Sequence, residues 1–167
     1  MVLRERRLHK AGLGLSVEAP PGWGFSTQTG YPAVAFLLLH PDGSRLSLSV
    51  TKTHASSSAA FVEENVPALR LAHFVVVRAS DTTNGARLLE LKPEKGSSLV
   101  KQIYAVRRSE EGKGGSHDAG SSGTGATASA NDGLVVTLTT QEGLASAHDG
   151  DLFILAGSVT FDDVPQP

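Results

Sequence analysis

Histidine is the residue type with the widest chemical use in this chain, since imidazole binds metals and transfers protons near neutral pH. The histidines occur singly along the sequence, at His9, His40, His54, His73, His117 and His148. No HxH or HExxH spacing places two imidazoles on one face of a strand or helix. The sequence therefore predicts no metal site. His40, which precedes Pro41-Asp42-Gly43, is interpreted as a turn residue.

The other common catalytic arrangements also lack their sequence context. Serine is frequent, but no GxSxG motif occurs, so a Ser/His/Asp triad has no structural setting. The glycines between Gly112 and Gly115 lack the strand-to-helix context and the Lys-Ser/Thr ending of a phosphate loop. The adjacent acids Glu110-Glu111 and Asp162-Asp163 are more typical of solvated charge than of an acid and base in a pocket. The sequence thus predicts a protein that is not an enzyme and has no cofactor.

Length and charge indicate one soluble domain. The chain has 167 residues, a formal net charge of -2 and no cysteine, which excludes disulfides, thiolate metal sites and a cysteine nucleophile. Without a global basic field, nucleic acid is not the expected partner. The basic cluster of Arg4, Arg6 and Arg7 is compatible with an acidic partner, although a solvated terminus is the simpler interpretation.

The sequence contains no pattern typical of a membrane segment. Its start, MVLRERRLHKAGLGL, lacks the apolar run of a secretory signal, and the longest apolar run, Ala33 to Leu39, is far shorter than a membrane span. We therefore expect a cytoplasmic protein without direct membrane insertion. A periplasmic location is the alternative if a leader has been removed.

A low-complexity stretch interrupts one predicted hairpin. Residues 108–132, RSEEGKGGSHDAGSSGTGATASAND, separate LVKQIYAVR from GLVVTLTT and contain almost no apolar side chain to bury. We interpret them as a disordered loop inserted into one turn of a single domain that spans residues 1–167.

Strand patterns occupy most of the remaining chain. Alternation predicts strands at Leu13 to Val17, Leu46 to Val50 and Leu134 to Thr140, and a continuous apolar run predicts a strand from Ala33 to Leu39. Further β-prone segments are Phe74 to Arg78 and Ala86 to Leu91 around the turn Asn84-Gly85, then Leu99 to Arg107, and finally SVTF near the end.

Two segments have helical spacing. In residues 56–72, Phe61, Val62, Val66 and Leu69 share one face after a serine run that could cap the start, while Pro67 predicts a stop near Asn65, a kink or a restart. A second helix is predicted around Leu152 to Val159, with Asp149 or Asp151 as its cap and Gly157 at its end. The expected fold class is α+β, an antiparallel sheet of about six or seven strands flanked by helices.

The order of several short motifs resembles the DcrB-related domain family. EAPPGW after an opening strand, FLLLHPDG leading into LSLSV, the first helix, LLEL, KQIYAVRR, LVVTLTT and LAGSVTF follow the order of that domain. The resemblance covers essentially the whole chain. It implies the α/β/α sandwich of the superfamily that contains the photosystem protein PsbP and the Mog proteins.

Within that family, RRLHKAGLGL, KQIYAVRR and VTLTTQEGLASAHDGDLF resemble the cytoplasmic chaperones of type VI secretion effectors. This resemblance implies a bacterial, homodimeric, non-enzymatic adaptor that holds apolar transmembrane helices of an effector and helps load it on the secretion spike. The alternative is a DcrB-like periplasmic or envelope-associated binding domain. The chain departs from these chaperones at residues 108–132, where they have a tight turn.

Alternation along two strands selects a candidate partner surface. Phe36, Leu38, Leu48 and Val50 would form an apolar groove for a partner helix if their sheet face were exposed to solvent. The same four residues would be core if a helix covered that face, which is the more common arrangement. Trp23 in Pro21-Gly22-Trp23 is interpreted as an anchor that packs the first turn on the sheet, with ligand stacking as the weaker alternative.

Overall fold

A computed structural model describes residues 7–10, 14–26, 34–82, 85–107 and 131–161. It contains ten strands and two α-helices in these ranges: β1 Arg7–Lys10, β2 Leu15–Glu18, β3 Gly24–Ser26, β4 Val34–Leu39, β5 Arg45–Thr53, α1 Ser58–Leu71, β6 Phe74–Asp81, β7 Arg87–Pro93, β8 Ser98–Arg107, β9 Asn131–Gln141, α2 Ala145–Ser158 and β10 Thr160–Phe161. A short 3₁₀ turn, Glu142–Leu144, leads into α2. Among these residues, no helix is both long enough and apolar enough to cross a bilayer.

The strands form two antiparallel sheets. The large sheet has seven strands in the order β3-β4-β5-β9-β8-β7-β6, and the small sheet has the order β1-β2-β10. The predicted β4–β5, β6–β7 and β8–β9 hairpins are confirmed, because each pair is hydrogen-bonded in antiparallel register. β1 and β3 were not predicted, because they are short strands with little alternation.

Side chains of the central strands point alternately into two hydrophobic cores, one on each face of the large sheet. On β8, Ile103 packs against the core under α2, whereas Val100 and Tyr104 pack against Phe61 of α1. The helices therefore cover opposite faces, since successive side chains of a strand point to opposite sides. The predicted fold class is confirmed: the molecule is an α+β protein with helices flanking a large antiparallel sheet.

The start of α1 is as predicted, and its proline does not end it. The hydroxyl of Ser57 accepts a hydrogen bond from the backbone N–H of Ala60 at 3.1 Å, which satisfies one of the free donors of the first turn. The helix continues through Pro67 to Leu71, with Phe61 and Val62 as its buried residues. Packing of these two side chains offsets the backbone hydrogen bond that Pro67 cannot make.

The second helix begins earlier than predicted. It starts at Ala145, directly after the 3₁₀ turn, and its N-cap residue Leu144 makes no side-chain capping bond. Asp149 and Asp151 therefore lie inside the helix, and the prediction that one of them caps it was wrong. Their carboxylates are used elsewhere: Asp149 accepts a hydrogen bond from Lys101 at 2.6 Å, and Asp151 from Trp23 at 3.0 Å.

The small sheet pairs strands from the two ends of the described chain. β2 lies between β1 and β10, with Leu15 and Val17 fully buried in the core under α2. Arg7 lies 4.0 Å from Glu18 and donates a hydrogen bond to Thr160, so this member of the basic cluster belongs to a strand. Arg4 and Arg6 lie outside the described residues.

The last two residues of the predicted insertion belong to a strand. Asn131 and Asp132 belong to β9, where they pair with Thr53 and Lys52 of β5. The rest of that stretch, residues 108–130, lies outside the described residues, as do the candidate residues His117, Glu110 and Asp162. The disordered single-turn insertion stays a prediction.

Candidate functional site

The four residues predicted to form a partner groove lie on the sheet face beneath α2. Phe36, Leu38 and Leu48 are at most 2% exposed, and Val50 is partly buried against the same core. In this structure the four residues belong to the core, which was the more common of the two arrangements considered, because α2 and the small sheet cover this face. Binding of a partner by these residues stays a prediction that requires α2 to move away.

An apolar cleft does open on the same sheet face, at the side of α2. Its volume is about 260 Å³, and its floor includes Ile103 of β8 with Leu134 and Val136 of β9. Ala156 and Gly157 form part of its helical wall, and such small side chains leave space between helix and sheet. This cleft could not be predicted from the sequence, because it depends on where α2 crosses the sheet.

The rim of the cleft combines an exposed aromatic ring with one cation. Phe153 of α2 lines the cleft and is 46% exposed. The guanidinium carbon of Arg107 lies 3.9 Å from the ring centroid of Phe161, in a cation–π contact. The described lining contains no pair of a nucleophile and a base, so its chemistry suits the binding of an apolar group.

A cluster of polar and aromatic side chains joins α2 to the β4–β5 turn. The ring of His148, which is 5% exposed, lies between two carboxylates: Nδ1 is 2.9 Å from Oδ2 of Asp151, and Nε2 is 2.8 Å from Oδ2 of Asp42. The indole N–H of Trp23 donates to the same Asp151 oxygen at 3.0 Å. The ring of His40 packs edge-on against His148, with a centroid distance of 4.7 Å, and lies tilted against Trp23 at 5.1 Å.

These contacts shift the proton affinities of two residues in opposite directions. Burial disfavours a charged His148, but the hydrogen bonds to Asp151 and Asp42 outweigh it and raise the pKa of His148 above its ordinary value. The hydrogen bond from His148 holds the pKa of Asp42 well below its usual range. The cluster therefore favours a charged imidazolium between two carboxylates.

Hydrogen bonds within the turn fix the positions of His40 and Asp42. Gly43, at φ 94°, donates its N–H to the carbonyl of His40 at 2.9 Å, and the N–H of Ser44 donates to Oδ1 of Asp42 at 2.8 Å. The predictions that His40 is a turn residue and that Trp23 is a packing anchor are confirmed. The cluster was not predicted, since His40 and His148 come from distant parts of the chain and share no local motif.

No protein-family model matches the sequence, and no curated protein matches it. Several solved structures resemble the fold, and two of them match it over almost the whole chain. The solution structure of cyanobacterial PsbP (CyanoP) from Synechocystis sp. PCC 6803 is 13% identical, has a TM-score of 0.57, and the match covers 93% of this chain and 91% of that one.

Another of these structures is the crystal structure of LpqN, which is involved in cell envelope biogenesis of Mycobacterium tuberculosis. It is 14% identical with a TM-score of 0.58, and the match covers 95% of this chain and 93% of LpqN. Both likenesses show that this chain has a PsbP-like fold, as the sequence resemblance implied. The closer likeness to DcrB-related proteins and to secretion chaperones stays a prediction.

Proposed function

We propose that this protein is a non-enzymatic binding domain that takes an apolar segment of a partner in the cleft beside α2. The observation that carries this proposal is the open apolar cleft with the half-exposed Phe153 at its rim. Burial of apolar groups there is favourable by about 0.8 kcal/mol per methylene. An envelope-associated role is the setting we propose, supported by the similarity in fold to LpqN.

Two neighbouring residues of α2 provide a matched test of the cleft. Phe153 and Ile154 are 46% and 45% exposed, but only Phe153 is among the residues that line the cleft. We expect Phe153→Ser to weaken binding of the apolar dye 1-anilinonaphthalene-8-sulfonate about fivefold, because losing part of an aromatic contact costs about 1 kcal/mol. Ile154→Ser should change the affinity less than about twofold. Fluorescence titration measures both.

A variant that fills the cleft completes this test. Ala156→Phe places a ring in the space that the dye would occupy, so we expect the fluorescence increase to be lost while the far-ultraviolet circular dichroism is retained. Equal dye binding by the wild-type protein and the Phe153→Ser and Ala156→Phe variants would rule out the cleft as the binding site.

The second candidate is the adaptor chaperone for apolar transmembrane helices of a type VI secretion effector. Exposed apolar side chains on the edge strand β6 and the adjoining end of α1 favour it: Val75 is 50%, Val77 51% and Leu71 80% exposed. Exposed apolar side chains on a strand at the edge of a sheet are typical of surfaces that bind another chain.

This adaptor hypothesis predicts both a bound effector and a homodimer. Co-expression with the neighbouring open reading frames, followed by mass spectrometry of copurifying proteins, should recover a protein with apolar helices. Light scattering at low concentration should give the mass of two chains. Recovery of no such protein from any neighbouring frame would exclude the adaptor role, and a monomer mass would exclude the dimer.

A further inference from the structure

We propose that the cluster of His40, Asp42 and His148 is a binding site for a divalent transition-metal ion of the Zn²⁺ class. One donor atom from each of the three residues lies within 4.8 Å of the others. Asp42 lies between the two imidazoles, with Oδ1 3.0 Å from Nδ1 of His40 and Oδ2 2.8 Å from Nε2 of His148. Small rotations of these side chains would bring the donors to bonding distance from one ion.

Nδ1 of His148, the ring nitrogen that would not bind the ion, has a carboxylate partner, as is usual for histidines that bind metals. This nitrogen lies 2.9 Å from Asp151, and the indole N–H of Trp23 fixes the same carboxylate oxygen. A carboxylate that accepts a bond from one imidazole nitrogen orients the ring and directs the lone pair of the other nitrogen toward the metal. Asp151 and Trp23 would therefore be positioning residues of the site.

The charge of the cluster is suited to a dication. In the part of the chain that the structure describes, the ion pairs of Asp42 and Asp151 involve only histidines. By contrast, Asp149 is paired with Lys101 and Asp132 with Lys52. A metal ion bound at Nε2 of His148 would replace the proton that this nitrogen shares with Asp42, and that proton would leave to solvent. Both imidazoles would then be neutral, and the ion would balance the two negative charges of the carboxylates.

A shared cation would also stabilise the contact between His40 and Asp42. The backbone N–H of Asp42 lies 3.2 Å from Nδ1 of His40, a geometry that favours an unprotonated Nδ1. In that tautomer, Nδ1 and Oδ1 of Asp42 are two acceptors 3.0 Å apart, and they repel each other. An ion shared by the two atoms would make the same contact attractive.

The types of the donors select the class of metal. Two imidazoles and one carboxylate suit Zn²⁺, Ni²⁺ or Fe²⁺, whereas Mg²⁺ and Ca²⁺ prefer sites made only of oxygen atoms. The side chains of His40 and Asp42 are 25% and 27% exposed, so an ion can enter from solvent and keep a water ligand. Such an ion would tie α2 to the β4–β5 turn.

Cobalt provides a direct test, because Co²⁺ replaces Zn²⁺ and absorbs visible light. We expect the full chain, freed of metal with EDTA and then desalted, to bind one Co²⁺ with the spectrum of a low-coordinate site, and Zn²⁺ to displace it. His40→Ala should weaken binding at least tenfold, and Asp151→Asn should weaken it about 10- to 100-fold without changing the stoichiometry. The exposed His54 provides the control, and His54→Ala should leave the affinity unchanged.

His40 is partly exposed, so its variant still tests the proposal if variants of the buried His148 do not fold. Circular dichroism checks that His40→Ala is folded. The proposal is overturned if the wild-type protein binds no Co²⁺ or Zn²⁺, if His40→Ala binds either ion as tightly, or if His54→Ala weakens binding equally. None of these results depends on the apolar cleft.

Discussion

Replacing Gly133 with alanine is expected to lower the free energy of unfolding by about 3 kcal/mol, the upper part of the usual range for an overpacked core. Gly133 lies on β9, on the face that α1 covers, and a Cβ atom there would lie 2.3 Å from Cζ of Phe61. Phe61 is 1% exposed, and its ring packs edge-on against Tyr104 with a centroid distance of 5.5 Å. Because the ring is buried and packed, it can make room for a Cβ atom only by displacing its neighbours.

Urea unfolding measures this loss, and a double-mutant cycle assigns it to the ring. Phe61→Ala alone should cost about 3–5 kcal/mol, and adding Gly133→Ala to it should cost much less than in the wild-type background. Gly143→Ala is the control, since a Cβ there meets nothing within 4 Å, and it should be nearly neutral. Additive effects of the Phe61 and Gly133 changes would contradict the proposed close packing.

Replacing His148 with leucine is expected to lower the free energy of unfolding by about 3 kcal/mol, because two charge-assisted hydrogen bonds to a buried imidazole are lost. Leucine has a similar size but no donor for Asp42 or Asp151. Each of the two carboxylates would then lose one hydrogen-bond donor at the contact of α2 with the β4–β5 turn. For a chain of this length the melting temperature should fall by about 6–12 °C.

Thermal unfolding in EDTA measures this effect without any contribution from bound metal. His148→Gln should lose less than His148→Leu, since its amide can still donate to one carboxylate. His54→Leu, at an exposed position, is the control and should change stability by less than about 0.5 kcal/mol. Equal effects of the leucine substitutions at His148 and His54 would show that the buried ring does not hold α2 in place.

Local patterns were sufficient to predict most elements of this fold. Strict alternation in Leu46 to Val50 and the turn around Asn84-Gly85 predicted β5 and the β6–β7 hairpin, which the structure confirms. The serine run before α1 predicted its cap. Local patterns failed where an element has little periodicity, as in β1 and β3, or where a preceding 3₁₀ turn starts a helix, as at Ala145.

The candidate sites were much less predictable. The apolar alternation of Phe36, Leu38 and Leu48 is the same for a covered and an uncovered sheet face, so sequence alone could not place α2 over these residues. The cleft needs the position of that helix, and the histidine cluster needs it as well. A search for local spacing finds neither feature, because each is built from strands and helices that are distant along the chain.

The sequence by itself determined the class of fold, the main hairpins and the absence of cysteine chemistry, since these depend on side-chain period, turn residues and composition. Only the tertiary structure decided that His40 and His148 meet at Asp42, and that Phe153 borders an open cleft while Leu38 is buried. The physical reason is that side chains pair across packed layers. The crossing of α2 over the sheet sets these pairings, and no short-range pattern in the chain records it.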